Sequence, residues 1–517
     1  MRTAIKKQKR KKMKIVSLLL CLSIALGSIF YLYHSGIFRQ ITAFANSINF
    51  SFADNTRHQN VSNIIIADKE FEGNIFVDKD VLYLDIDFIK SHIASSILVD
   101  KENSRAYFEI PQSRYSYEKP ILDEFMKDKP IFLNFLLKKV ENIYYLPIET
   151  MAPLMGFEVQ YFSDNHRIVI HPTEPDDFIV YPPVETKSHP TAKIGLVWDY
   201  VYQITRDRRE EEKIPALDIV SPTWFKLSKN DGTVESNSVL SYVKDAHNKG
   251  YQVWGLVTND FDPNLTSEFL SDINAQDNFI RQMVLYSSLY HLDGINIDFE
   301  NIHYEDQDAF TEFVRKLTEK LHQSNLTVSI DVTIPSTSLN WSKVYDREKL
   351  GGIVDYVAVM TYDEHWGSSP KSGSVASIGW VEKGVQATLE SIPPEKILLG
   401  LPFYTRLWEE EKQPDGSIKV SSRAFGMDAI TSILEENNAA IQWDAAAGQY
   451  YSQYEKEDKT YKVWLEDQRS LALKASLIEK YQLAGFAAWR KDFEKEDVWP
   501  ALEEVVKKNK NYDDLKF

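Results

Sequence analysis

Asp293-Gly294-Ile295-Asn296-Ile297-Asp298-Phe299-Glu300 is the stretch on which the reading of this chain turns. From Ile295 onward it alternates with a period of two. Ile295, Ile297 and Phe299 fall on one face of a strand, and Asn296, Asp298 and Glu300 on the other. A strand buried on both faces reads as a nearly continuous apolar run. This one carries an amide and two carboxylates at three successive positions of one face. Desolvating such a ladder is costly unless the charges find partners, so folding alone does not favour it. A structural ion-pair network is one explanation and an active site is the other.

The residues that follow favour the active site. After Glu300 comes a polar loop, Asn301-Ile302-His303-Tyr304-Glu305-Asp306. In parallel barrels the chemistry gathers at the C-terminal ends of the strands, where loops shape a pocket. A carboxylic acid at that rim, with Asp298 two residues behind it, suits general acid catalysis. The neighbouring negative charge and partial burial both help it hold a proton near neutral pH.

The run resembles the signature of glycoside hydrolase family 18, the chitinase-like family, Asp-Gly-x-Asp-x-Asp-x-Glu. Asp293, Gly294, Asp298 and Glu300 match it. Asn296 stands where chitinases usually have another Asp, as in the branch that resembles spore-cortex-lytic and other peptidoglycan N-acetylglucosaminidases. An amide can hydrogen-bond Asp298 but cannot share a negative charge, so chitinase pH behaviour does not carry over.

The resemblance covers Lys193 to Ala501. Strands are expected at Lys193 to Tyr200, Leu217 to Phe225, Tyr251 to Thr258, Asp293 to Glu300, Leu326 to Thr333, Val354 to Tyr362, Ile397 to Tyr404 and Gly485 to Trp489. The sixth ends in Met360-Thr361-Tyr362-Asp363, similar to the family's Met-x-Tyr-Asp. The seventh continues as Gly400-Leu401-Pro402-Phe403-Tyr404-Thr405-Arg406, again similar to the family. Helical segments such as Asn278 to Tyr290 and Asp308 to Gln323 lie between strands. Strand and helix alternating over about 300 residues is the pattern of an α/β fold, a (β/α)8 barrel, placed at residues 193–505.

The resemblance also implies a mechanism. Ordinary retaining glycosidases place a second carboxylate about 5 Å from the acid as nucleophile, and family 18 is an exception. There the substrate's own 2-acetamido oxygen attacks, giving an oxazolinium intermediate and net retention. Carried over, Glu300 protonates the leaving oxygen and then activates water. Asp298 orients the acetamido group and stabilises its developing charge, and Tyr362 hydrogen-bonds its oxygen. Trp489 resembles the aromatic floor under the reacting sugar. Asn296, Asp363, Tyr404 and Arg406 resemble contacts to Asp298 or to the sugars. Asp293, at opposite parity, and Gly294 are given supporting roles.

Blander readings exist for several of these residues. Trp489 and Tyr404 also read as core aromatics, and Asp363 as a cap for the next helix. His303 and His365 fall in rim loops. The lone Cys21 is remote, and no helical His-x-x-x-His pair occurs, so neither metal nor cofactor is expected.

The N-terminus bears on location. Arg2, Lys6, Lys7, Lys9, Arg10, Lys11, Lys12 and Lys14 make residues 1–14 a basic block, read as a cytoplasmic tail. Nineteen residues from Ile15 to Tyr33 then carry no charge, long enough for one membrane-spanning helix. The basic flank orients the remainder outside the cell. The enzyme is thus expected as a single-pass membrane protein with an extracellular catalytic domain, or secreted if the segment is a cleaved signal. Formal net charge is −17, and with that basic block set aside the remainder carries −25. Such acidity argues against nucleic-acid binding.

Between anchor and barrel, residues 60–171 contain a repeat. Val81-Leu82-Tyr83-Leu84 and Ile143-Tyr144-Tyr145-Leu146 are offset by 62 residues, as are Asn103 to Phe108 and Asn165 to Ile170. Each copy reads as strand, helix, then a turn into another strand, forming a small α+β domain. Tyr145 to Ile170 resembles the stalk-type modules named after the N-terminal domain of copper amine oxidases, with too few clustered ligands for copper. Five prolines between Pro172 and Pro190 mark residues 172–192 as a stiff linker. An α+β insertion is expected between strands seven and eight, about residues 408–480. Its Trp443, Tyr450, Tyr451, Tyr454, Tyr461 and Trp464 read equally as a sugar-stacking wall or as the insertion's own core.

The expected activity is a retaining glycosidase acting on a polysaccharide that contains N-acetylglucosamine, with peptidoglycan first. Chitin or its oligosaccharides are the alternative substrate. A lectin-like barrel that binds without turnover is the alternative of another class.

Overall fold

Eight strands pair in parallel and close on themselves in the computed structural model: β1 (Ile194–Asp199), β2 (Ile219–Pro222), β3 (Gln252–Thr258), β4 (Gly294–Asp298), β5 (Thr327–Thr333), β6 (Tyr356–Met360), β7 (Ile397–Pro402) and β8 (Gly485–Trp489). Each pairs with the next, and β8 returns to β1 through Ile194 opposite Gly485. This is the expected (β/α)8 barrel. The structure describes residues 60–517 apart from 79–80, 116–119, 128, 164, 174–192 and 203. The basic tail, the apolar segment 15–33 and most of the 172–192 linker lie outside the described residues. Among the described residues no helix is long and apolar enough to cross a membrane.

The period of two in β4 sorts its side chains into two layers. Ile295, Ile297 and Phe299 are fully buried in the shell between strands and helices. That shell is completed by amphipathic helices. Gln307–Gln323 buries Phe310, Phe313, Val314, Leu317 and Leu321 along one stripe. Ile273–Tyr290 starts where the Asp272 carboxylate accepts from the Asn274 amide, and it ends at His291 in the left-handed conformation. Inside the barrel the floor is apolar, with Leu196, Trp254, Leu256, Tyr356 and Leu398 packed together. Gly294 belongs to this floor. A Cβ there would stand 2.6 Å from the Thr327 carbonyl oxygen and 2.8 Å from Trp254, so β4 can approach its neighbours only with glycine at that point.

The insertion is a five-stranded antiparallel sheet running from Tyr404–Lys412 to Lys459–Leu465, backed by the helix Met427–Glu436. Ile430, Leu434, Val463 and Leu465 form its core, and Tyr450 and Tyr454 pack on it. The aromatic run therefore serves in part as the insertion's own core. The helix Gln468–Lys480 packs on β7 and β8 and also touches the insertion strand Gln449–Lys456. It is a barrel helix, so the insertion ends before the expected 480. The signal was in the sequence: Asp467 and Ser470 form a reciprocal capping box at its start.

In the preceding module, strand Val81–Asp85 and helix Ile86–His92 recur as Ile143–Pro147 and Ile148–Met155. The copies part company afterwards. Arg105–Ile110 joins a three-stranded sheet, whereas Arg167–Pro172 joins a seven-stranded one. The module does not stand apart from the barrel, and its core is continuous with the barrel's outer shell. Strand Ile131–Leu136 lies against helix Ile273–Tyr290 and strand Val234–Ser236. The Tyr286 hydroxyl accepts from the Asn134 amide (2.8 Å) and donates to its carbonyl (3.0 Å). Buried Arg105 donates to Asn134 Oδ1, the Ser236 carbonyl and Asn237 Oδ1 at 2.8–2.9 Å.

Candidate active site

Above the apolar floor the barrel interior turns polar. Asn296 is fully buried, and all its hydrogen-bonding capacity is used. Its Oδ1 accepts from the Trp198 indole N–H on β1 (2.8 Å) and from the Ser221 hydroxyl on β2 (3.4 Å). Its Nδ2 donates to Ser329 Oγ (3.0 Å) and to Asp331 Oδ1 (2.7 Å), both on β5. The amide contact that the sequence pointed towards Asp298 therefore goes to Asp331.

Asp298 is half-buried, but its Oδ1 is sealed from solvent and has no hydrogen-bond partner. Burial raises its pKa to about 7. Glu300 lies just beyond the strand. Its carboxyl is pushed well above the usual carboxylate range, first by burial and then by the negative charges of Asp298 and Asp363. Such an acid keeps its proton at neutral pH and can deliver it to a bound leaving group.

β4 stops at Asp298, two residues short of the alternation's limit, and the reason is local. The Glu300 amide donates to Asn259 Oδ1 (3.0 Å), while Asn259 Nδ2 donates to the Glu300 carbonyl (2.8 Å). The Tyr345 hydroxyl takes the Phe299 carbonyl at 2.9 Å. Side chains thus replace the strand ladder at the point where the acid must face the mouth.

The remaining candidates fall into three groups. Tyr362 lies two residues beyond the end of β6, with its ring edge-on to Tyr404 at 6.1 Å. Burial, followed by Tyr404 and the carboxyls of Asp331, Glu300 and Asp298, keeps its phenol protonated. Asp363, in the left-handed conformation, accepts from the Tyr404 hydroxyl (2.6 Å) and from Arg406 (3.4 Å). It ties the loop after β6 to the insertion strand Tyr404–Lys412 and does not act as a helix cap. Trp489 ends β8 beside Trp198 and Tyr200, ring centres 6.1 and 6.2 Å away. Asp293 belongs to the opposite end of the barrel. Its Oδ2 pairs with His247 Nε2 (2.7 Å) and accepts from the Val253 amide (2.8 Å).

Several residues escaped the sequence reading. Asp331 was visible in the alternation Thr327, Ser329, Asp331, Thr333. Asn259 carried no pattern at all. Arg208, in the loop after β1, is clamped to Asp199 (2.6 and 2.7 Å) and to Asp492 (3.0 and 3.1 Å). That clamp fastens the loops after β1 and β8 on either side of Trp489.

Comparison with known proteins agrees with this architecture. The chain is 27% identical over 303 residues to an uncharacterized glycosylase, YvbX, of Bacillus subtilis (strain 168), covering 56% of this chain and 85% of that protein. It is 28% identical over 273 residues to the cortical fragment-lytic enzyme of Bacillus anthracis, covering 51% of this chain and 62% of that enzyme. The spore cortex-lytic enzyme SleL of Bacillus cereus shares the fold at TM-score 0.54 and 24% identity, covering 60% of this chain and 74% of that one. The sequence profile "Glycosyl hydrolases family 18" matches residues 160–494. That match takes in all eight barrel strands and the candidate acid, and by it the chain belongs to family 18 of the glycosyl hydrolases.

Proposed function

We propose that this glycosidase cleaves a polymer containing N-acetylglucosamine with retention, using the substrate's own acetamido group, and that the polymer is peptidoglycan. The observation that carries the reading is the Asp298–Glu300 pair, in which burial and mutual repulsion hold the acid protonated. Glu300 protonates the departing oxygen and then takes a proton from water. Asp298, deeper and one turn of the pleat behind, faces the acetamido nitrogen and balances its positive charge. Tyr362 donates to the acetamido oxygen, and Trp489 lies under the ring. Asp363, Tyr404 and Arg406, linked to one another, contact neighbouring sugars. The choice of peptidoglycan is supported by the relative named as a cortical fragment-lytic enzyme. The basic-then-apolar N-terminus would hold the enzyme at the outer face of the membrane, where that polymer lies.

The test is incubation with purified peptidoglycan and, separately, with chitooligosaccharides, alongside Glu300→Gln. New reducing ends are identified by mass spectrometry. Fragments ending in N-acetylglucosamine from peptidoglycan, absent with Glu300→Gln, are the expected result. Cleavage of chitooligosaccharides alone would replace peptidoglycan with chitin. Binding of both without cleavage would leave a lectin-like barrel.

A further inference from the structure

The aromatic surface does not end at Trp489. Tyr200, in the loop after β1, stands edge-on to it with ring centres 6.2 Å apart, and is 43% exposed. Arg490, the residue after Trp489, continues that surface. Its guanidinium carbon lies 4.5 Å from the Tyr200 ring centre and 4.1 Å from that of Phe493. Phe493 is itself fixed from the insertion. Its carbonyl accepts from the Met427 amide at 2.7 Å, and a Cβ on Gly426 would come within 3.0 Å of its Cα. Arg490 is thus held where the loop after β1 meets the insertion, beside the tryptophan at the end of β8.

What sets Arg490 apart is the lack of an anion. The cations around it each have one: Arg206 pairs with Asp492 (2.8 Å), Arg208 with Asp199 and Asp492, and Lys491 with Glu211 and Glu494 (both 3.3 Å). Both oxygens of Asp492, two residues along, are taken by Arg206 and Arg208. Among the described residues the Arg490 side chain makes neither an ion pair nor a hydrogen bond, and its contacts are the two rings. Rings cover the flat face of a guanidinium, whereas its N–H groups radiate from the edge. Burial lowers its pKa from the ordinary guanidinium value, so the charge is held at a cost that an arriving anion would relieve. In a chain of net charge −17, with carboxylates in surplus, a cation left unpaired beside the floor is a vacancy for one from outside.

We propose that Arg490 determines specificity by binding a carboxylate on the sugar next to the one over Trp489. The inference rests on the reading of the polymer as peptidoglycan. There N-acetylglucosamine alternates with N-acetylmuramic acid, so either neighbour of the reacting unit bears a lactyl carboxyl. That group is free, or extended by a peptide with carboxylates of its own. Chitin offers only neutral neighbours. Tyr200 takes the apolar face of the neighbouring sugar, and the guanidinium fork takes the carboxylate in two parallel hydrogen bonds. An anionic glycan is thereby separated from a neutral one of the same backbone.

The experiment uses the full chain and one oligosaccharide of alternating N-acetylglucosamine and N-acetylmuramic acid in three forms: peptide-free, peptide-free with its carboxyls amidated, and carrying stem peptides. Dissociation constants are measured with Glu300→Gln, alone and combined with Arg490→Gln or Arg490→Lys. KM and kcat are measured with the wild type and the Arg490 variants. Amidation should weaken binding by about tenfold or more while Arg490 is present, and by far less once it is Gln. Such a coupling is not imitated by a loss of folding, which weakens all three forms alike. Arg490→Lys should recover part of the preference, having the charge without the fork. The change should appear in KM, with kcat held. A preference confined to the peptide-bearing form, and lost with Arg490→Gln, would uphold the anion site and put the carboxylate on the stem peptide. Equal weakening of all three forms by Arg490→Gln would overturn the proposal and make Arg490 a packing residue, with peptidoglycan cleavage by the wild type intact. Cleavage of chitooligosaccharides alone, with the carboxylate preference still present in binding, would overturn peptidoglycan as the substrate and uphold the anion site.

Discussion

Glu466 and Asp298 are both carboxyls whose pKa burial raises to about 7, yet their surroundings differ in kind. Glu466 pairs with Lys474 at 2.9 Å, both side chains fully buried, and also accepts from Ser470 (2.7 Å) and Gln449 (2.8 Å). Every oxygen there has a partner. The cluster joins the end of the insertion sheet to the helix Gln468–Lys480. Asp298 has an orphan oxygen, and its neighbours are the carboxyls Glu300 and Asp331. A satisfied buried charge specifies how elements fit together. An unsatisfied one, kept at a cost to stability, is available to a ligand.

The contrast is sharpest in Asp298→Asn. Hydrolysis should fall by roughly 10²–10⁴-fold, the range for losing a catalytic group. The fold should not suffer, because a charge without partners is being removed. Steady-state rates set beside thermal unfolding near neutral pH would check both halves. A less stable variant would mean that Asp298 has a structural partner after all.

Lys474→Met should do the reverse. It leaves Glu466 buried without its cation and should lower stability by about 3–5 kcal/mol. Adding Glu466→Gln should restore most of that. Urea unfolding of the single and double variants decides the matter, with kcat of the folded enzyme close to wild type.

The pH dependence gives a finer comparison. The folded-state pKa of Asp298 lies near 7, above its ordinary value of 3.8. Between those values the folded state binds more protons than the unfolded chain, so this group's contribution to stability falls as pH rises. The fall begins above the ordinary value and levels off above about 7. The wild type should therefore lose more stability than Asp298→Asn between about pH 5 and pH 8. Parallel profiles would show that the carboxyl ionises freely.

The smallest effect is expected at the module seam. Arg105→Met leaves Asn134 Oδ1 and the Ser236 carbonyl without that donor, at about 1–3 kcal/mol. Hydrogen exchange should quicken across Arg105–Ile110 while kcat holds. Unchanged exchange would show that apolar contacts alone fasten the module.

The barrel was legible because β4's two faces differ so sharply: Ile295, Ile297 and Phe299 pack outward, and the polar residues point in. The same rhythm ran through β5, but its β-branched residues drew attention away from Asp331. Other parts had no local trace. Asn259 acts through a side chain gripping backbone 41 residues away, and Arg105 meets Ser236 across 131 residues. No periodicity encodes such contacts, because only the finished fold brings them together.

Asn259 has a further consequence. By holding both the amide and the carbonyl of Glu300, one side-chain amide gives the acid a fixed fulcrum. The carboxyl can swing about its own side-chain bonds, but its root cannot drift. A group that must give up a proton and later take one back does so from the same place on each stroke, however the sugar beside it has moved.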